Sequence, residues 1–513
     1  MTRAERVEGV SRRRVRRIGL AAGPALAALI WALLPDAYPG PAGELVAFTP
    51  AGRATAAVAV WMATWWLSEA IPVYATALLP LVLFPLLRAA PMKAAAAPYA
   101  HELIFLFMGG FMLALSMQRW GLHRRVALAA LLLVGDRPVR IVGGFMAVTA
   151  FLSMWVSNTA AAVMLLPVAV SIIERVAREH GVESAEAALD EGGSAVRNFA
   201  LCLLLGIAYS ASIGGMGTPI GTPPNVIMLS YAKDHLGVEI GFARWMALAL
   251  PLVAVFLPLA WLLLTRVLYP VRLERIQGGR ELVRASLRAL GPMSVGERIV
   301  LCVFVGASAL WITRPLLTGL ELGGARPLAG LSDAGIAMLA AVVLFVAPVD
   351  RSATRFTLDW ETAVRLPWGV LLLFGGGLSL AAAIQVNGVG ELIAGQVAGF
   401  AGVPVLLVVA VVVAAIVFLT ELTSNTATAA TLIPILAALA PGLGIEPLVL
   451  VVPAALSASC AFMLPVATPP NAIVFGSGLV TISEMSRAGF WLNWVGTALI
   501  TLFGWLVVAR VLA

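Results

Sequence analysis

Apolar runs of about 18 to 25 residues, each long enough to cross a hydrocarbon core of roughly 30 Å, recur from residue 18 to the C-terminus. Nothing else constrains the fold as strongly, because a backbone inside a bilayer must satisfy its own hydrogen bonds, which leaves helices or closed barrels. The runs are continuous and rich in Leu, Ala, Val and Gly instead of alternating, so a barrel is excluded. Only 12% of the 513 residues are charged, against about 25% in a soluble domain. The expected fold class is an all-α polytopic membrane protein that has the lipid bilayer as a partner.

Spanning segments are predicted near 18–34, 52–69, 71–88, 104–133, 200–230 and 246–268, then near 297–314, 331–348, 366–386, 447–480 and 489–512. Two further stretches, 139–173 and 403–440, carry a polar Ser-Asn-Thr triplet in the middle and fit re-entrant hairpins. With a basic tail, 1–17, in the cytoplasm and hairpins not counted as crossings, His123, Arg124 and Arg125 fall inside. So do the arginine-rich 269–298 segment, Arg351, Arg355 and Arg365, as the positive-inside rule requires. The first hairpin then opens from the cytoplasm and the second from the opposite face, the pattern of an inverted-topology repeat. The halves are 18–268 and 297–513, and 269–296 is a solvated cytoplasmic linker. The net charge of +7 reports this topology, not nucleic-acid binding. Cys202, Cys302 and Cys460, odd and scattered, make neither a metal cluster nor a disulfide framework.

The motifs come in pairs. WVSNTAAAVMLLPV at 155–168 and LTSNTATAATLIPI at 422–435 agree at seven of fourteen positions, with an offset of 267 residues. LFMGGFMLAL at 106–115 echoes LLFGGGLSLA at 372–381, Gln118 and Gly121 recur as Gln385 and Gly388, and GTPIGTPPNVI at 217–227 echoes VATPPNAIV at 466–474. Each half thus has a glycine-rich helix, a polar-tipped hairpin and a helix broken by Thr-Pro-Pro-Asn. Pro223, Pro224, Pro469 and Pro470 remove donors and disfavour helix before them, while Gly214, Gly215 and Gly217 allow close backbone approach. Broken helices free N–H groups that attract anions and C=O groups that coordinate cations. The side chains of Ser157, Asn158, Thr159, Ser424, Asn425 and Thr426 add neutral oxygens, which suit sodium better than zinc. Ser153 and Thr420, four residues before each triplet's serine, put a second hydroxyl on the same helical face.

Glu69 and Glu421 lie among apolar residues and are read either as a proton relay or as acids that lock a helix end. His101, His123, His180 and His235, near loops, are read as ordinary surface histidines, and Trp61, Trp65 and Trp66 as interfacial or packing residues. No His or Lys stands ready to activate a serine in the apolar core, so an enzyme is not expected. A channel filter would need a ring about an axis, whereas two tips within one chain make a single closed site.

The doubled SNT, with FLTELTSNTATAA, SIGGMGTPIGTPPN and MLPVATPPNAIVF, resembles the divalent anion/sodium symporter family, carriers of di- and tricarboxylates, citrate and sulfate. The resemblance covers roughly residues 50 to 510. It implies eleven transmembrane helices plus two hairpins, a scaffold, an elevator-like transport domain, and a homodimer in the cytoplasmic membrane. It implies co-transported Na+ at two or more sites: Ser153, Ser157, Asn158 and the backbone of Gly217 at one, and Thr420, Asn425 and the backbone of Thr423 and Ala467 at the other. A small dianionic substrate would be touched by Asn158, Thr159, Ser424, Asn425, Thr426, Thr468 and Pro469. Since the cation-binding hydroxyls are present, sodium symport is expected over exchange, and the lack of the large soluble insertion of some bacterial sulfate carriers tilts the expected substrate to C4-dicarboxylates, with sulfate, citrate or exchange as the alternatives.

Overall fold

The computed structural model describes residues 3–39, 45–180, 193–273, 279–321, 325–350, 352, 354–400 and 402–508. Parts of the predicted tail 1–17, linker 269–296 and last span 489–512 lie outside the described residues. Helices dominate, and one short ribbon pairs Ala37–Pro39 with Leu45–Ala47. Among the described residues nine helices are long and apolar enough to cross a membrane, joined by shorter apolar ones.

Three expectations are corrected. The 104–133 run is two helices, Glu102–Arg119 and Leu122–Leu131, parted by Gly121 at φ +73°. That left-handed backbone costs glycine little and turns the chain. The 71–88 run divides into Val73–Thr76 and Leu79–Leu86, where Pro80 cannot donate back to the preceding turn. The linker is not simply a solvated loop: Gly279–Ala289 is a helix, with Val283 buried while Arg280, Arg284 and Arg288 stay exposed.

The paired motifs recur as paired elements. Trp368–Val386 is followed by Gly388, also at φ +73°, and by Val389–Val397, repeating the geometry at Gly121. The first hairpin is Pro138–Ser153 and Asn158–Glu179, and the second is Val405–Leu419 and Asn425–Gly442. Both arms of the first pack against Gly193–Gly215 and against each other, and both arms of the second against Pro447–Ser457. Each of these helices unwinds, over 216–222 and 458–468, and resumes as Pro223–Leu236 or Pro469–Gly476. The resumed pieces cross over. Pro223–Leu236 packs on the second hairpin's Asn425–Gly442, and Pro469–Gly476 on the first hairpin's Asn158–Glu179.

Close packing sets the depth of the first tip. A Cβ placed on Gly214 would stand 2.2 Å from the Ala150 carbonyl oxygen and 2.4 Å from Ala150 Cα. Both are backbone atoms, which no rotamer change can clear. Gly214→Leu is therefore expected to separate the hairpin from its helix, seen as loss of the monodisperse peak in detergent gel filtration; an unchanged peak and melting temperature would contradict this packing.

Polar contacts mark the two ends of the bundle. Arg119–Asp359 at 2.6 Å, Arg125–Glu297 at 2.6 Å and Trp120 Nε1 to the Thr357 carbonyl at 2.8 Å gather the loops that charge counting put in the cytoplasm. At the other end of Glu102–Arg119 lie the Glu102–Lys233 pair, His101–Asp234 at 3.0 Å and the His235–Gln385 hydrogen bond. The first hairpin follows from the Arg119 end and the second from the Gln385 end. The histidines are thus more engaged than expected, His123 included, whose Nδ1 lies 3.0 Å from the Met117 carbonyl. Trp66 is a packing residue, fully buried, with Nε1 donating to the Val73 carbonyl at 3.0 Å.

Candidate functional site

Ser153 ends the first hairpin arm and is fully buried. Its hydroxyl bridges the Asn158 Oδ1 and, at 2.7 Å, the carbonyl of Ala211, just before the helix unwinds. Ser157 caps the second arm, accepting from the Ala160 N–H at 3.3 Å. Thr218 in the unwound stretch donates to the Met154 carbonyl, which ties the tip to the break.

The second half repeats the construction. Thr420, also fully buried, bridges Asn425 Oδ1 at 2.7 Å and the Ala458 carbonyl at 3.0 Å. In both halves a hydroxyl one turn before the triplet holds the asparagine oxygen, which leaves the Nδ2 group unspent. Among the described residues no protein group bonds Nδ2 of Asn158 or Asn425, or the hydroxyls of Thr159, Ser424 and Thr426. All six triplet residues are half-buried. The result is two clusters of neutral donors with no partner of their own. The breaks also touch: Thr222 Oγ1 and Ser459 Oγ, from different halves, lie 3.4 Å apart.

Other expected site residues fall less evenly. Thr468 caps the resumed helix, accepting from Asn471 N–H at 3.3 Å, while Pro469 is exposed and Ala467 half-buried beside it. Thr423 turns its hydroxyl to the Leu419 carbonyl at 3.0 Å and to Thr428 Oγ1 at 2.7 Å. Gly217 lies beside the tip turn: a Cβ there would meet Met154 Cε at 3.0 Å and Leu250 Cδ2 at 3.3 Å. A Cβ on Gly215 would instead meet Asn158 Oδ1 at 3.0 Å and the Gly221 carbonyl oxygen at 3.1 Å. Gly221 precedes Thr222 as Ala467 precedes Thr468, so it is Gly221 that matches Ala467. Sequence spacing carried that signal, since both residues stand one before Thr-Pro-Pro-Asn.

Glu421 locks a helix break. Its buried carboxylate accepts the N–H groups of Phe462 at 2.7 Å, Met463 at 2.9 Å and Leu464 at 3.1 Å, and Asn493 Nδ2 at 2.8 Å. Glu69, in contrast, is exposed, at a left-handed helix end with φ 47°. Among the described residues the ion pairs all lie away from the two tips, and no cluster of His, Cys, Asp and Glu could hold a metal. Cys202 and Cys460 are buried packing residues, whereas Cys302 is exposed.

Two hairpin tips facing two helix breaks inside a polytopic helical bundle define a membrane transporter, with breaks in corresponding places of each half. The fold is shared with the YdaH transporter of Alcanivorax borkumensis, at a TM-score of 0.58 and 14% identity over 97% of this chain and 98% of that one. MtrF of Neisseria gonorrhoeae aligns at a TM-score of 0.56 and 11% identity, over 96% and 95% of the two chains. Residues 26–511 match the sodium:sulfate symporter transmembrane region, and the chain belongs to that family. Among its relatives is the sodium-dependent dicarboxylate transporter SdcS of Staphylococcus aureus strain USA300, 43% identical over 457 residues, 89% of this chain and 86% of that protein. The family resemblance read from the motifs is borne out, and the protein is a transporter, not an enzyme.

Proposed function

We propose that the protein is a sodium-coupled symporter that imports C4-dicarboxylates such as succinate, malate and fumarate across the cytoplasmic membrane. The observation that carries the reading is the doubled hydroxyl–asparagine–carbonyl unit, at Ser153, Asn158 and Ala211 and at Thr420, Asn425 and Ala458. It turns amide donors outward, suited to carboxylate oxygens, and keeps oxygens inward, suited to a hard monovalent cation. The dicarboxylate assignment follows the 43% identical relative.

The donor clusters contain no Lys or Arg, so a dianion there is neutralised by helix ends and bound cations. At an effective dielectric of about 20 and a separation of roughly 5 Å, one cation attracts a unit anionic charge by about 3 kcal/mol. Sodium binds first at Ser153, Ser157, Asn158 and the break backbone, and at Thr420, Asn425, Thr423 and Ala467. It thereby orders the tips and creates the anion site between Asn158, Thr159, Ser424, Asn425, Thr426, Thr468 and Pro469. Reciprocity requires substrate to raise sodium affinity in turn. In this reading 18–268 and 297–513 are inverted halves joined by 269–296, with the N-terminus cytoplasmic. The hairpins and broken helices move as an elevator against the scaffold of a homodimer.

The test is uptake of labelled succinate into proteoliposomes under separate sodium, potassium and proton gradients, with malate, citrate and sulfate as competitors. Sodium-driven uptake blocked by malate is expected. Uptake that follows a proton gradient and ignores sodium overturns the coupling, and competition by sulfate or citrate stronger than by malate reassigns the substrate.

A further inference from the structure

Asn225 and Asn471, the last residues of the two Thr-Pro-Pro-Asn motifs, occupy the third position of the resumed helices and are fully buried. Each spends its amide nitrogen on the unwound chain that precedes it. Asn225 Nδ2 donates to the carbonyls of Gly215 at 3.2 Å, Met216 at 3.3 Å and Thr218 at 2.8 Å. Asn471 Nδ2 donates to those of Ala461 at 3.1 Å and Leu464 at 3.0 Å. Carbonyl acceptors fix which end of each amide is nitrogen. Each Oδ1 is then held in one direction, and among the described residues neither has a hydrogen-bond partner.

A buried amide oxygen left unpaired costs free energy, and here the cost is incurred twice, at equivalent positions. The prolines sharpen the point. Pro223, Pro224, Pro469 and Pro470 strip the first two N–H groups from both resumed helices, so the donors a helix start normally offers an anion are missing. The Asn225 and Asn471 N–H groups themselves turn to the Thr222 carbonyl at 3.2 Å and to Thr468 Oγ1 at 3.3 Å. A neutral oxygen without a hydrogen-bond partner, at a break whose carbonyls are close by, matches the ligand set of a small monovalent cation.

We propose that Asn225 Oδ1 and Asn471 Oδ1 are ligands of the co-transported sodium ions, one in each half. The inference rests on the sodium-symport reading and adds two ligands from outside the hairpins. Each asparagine then does two things: its nitrogen gathers the unwound chain, and its oxygen holds the ion. Loading a cation tightens the same residue that shapes the break, so ion occupancy and the order of 216–222 and 458–468 rise together.

The full-length protein in detergent tests this by melting in NaCl against KCl at equal ionic strength, titrating sodium without substrate. Wild type should show a sodium-specific rise in melting temperature. Asn225→Ala and Asn471→Ala lose both nitrogen and oxygen, and both a lower KCl melting temperature and a weaker sodium response are expected. Asn225→Asp and Asn471→Asp separate the roles, since aspartate removes the nitrogen but keeps an oxygen ligand and adds charge. Their KCl melting temperatures should stay low, while sodium half-saturation falls below that of wild type and at least about tenfold below that of the alanine variants. Sodium half-saturation in the aspartate variants equal to that of wild type, or no better than that of the alanine variants, overturns the ligand assignment alone; should an alanine variant not fold, comparison of its aspartate counterpart with wild type decides. A wild type with no sodium-specific rise overturns the symport reading, and this inference with it.

Discussion

Asn158→Ala and Asn425→Ala are each expected to abolish sodium-driven succinate uptake while leaving the protein folded. In the proposed site each substitution removes an amide donor to the substrate, together with the oxygen that the buried Ser153 or Thr420 hydroxyl holds. A hydrogen bond to a charged group is worth about 1.5 to 3 kcal/mol, so losing the donor together with a cation ligand predicts a fall of about 100-fold or more. The half-buried setting of both asparagines limits the folding cost, which a melting curve checks independently. The equality of the two effects is the sharper point. The residues lie in different halves, so two separate sites would leave part of the transport after either substitution, whereas one shared site leaves none. Normal uptake by either variant removes that residue from the site.

Glu421→Ala is expected to destabilise the protein more than any substitution at the tips. The carboxylate gathers three successive backbone N–H groups and the Asn493 amide, and alanine leaves all of them buried without an acceptor. Each stranded donor costs about 1 to 3 kcal/mol, and even with strong non-additivity the loss is on the order of 3 to 5 kcal/mol. Glu421→Gln keeps one acceptor but turns an NH2 toward donors, so it should fall between wild type and alanine. Melting in sodium-free buffer measures this directly. If both variants melt within about 1 °C of wild type, a span that corresponds to about 1 kcal/mol for a chain of this length, the carboxylate is not what holds 458–468.

The sequence was most legible where polar residues interrupt apolar runs. SNT and Thr-Pro-Pro-Asn could be paired by spacing alone, and both resumed helices do begin at the predicted prolines, Pro223 and Pro469. Turns inside apolar runs were harder. A single glycine within 104–133 does not declare whether it packs or turns, and only the backbone geometry shows that Gly121 turns. In the linker, Arg280, Arg284 and Arg288 dominated the composition and hid the apolar face that buries Val283. At the first break three candidate glycines lay close together, and the one that meets Asn158 depends on how 216–222 folds back. For Glu421 the position suggested two roles. The geometry selects the lock, because the N–H groups it accepts lie more than forty residues away in sequence.

The position equivalent to Glu421 in the first half is Met154, which offers only its main-chain carbonyl, taken by the Thr218 hydroxyl. One break is therefore held by a side-chain carboxylate and the other by a neutral hydroxyl. A second carboxylate at 154 would put another negative charge beside the proposed anion site, and the unlike residues avoid that repulsion. Two identical subunits pairing across an axis would be obliged to carry the same residue at both places. A single continuous chain is free to give its copies unequal mechanical duties.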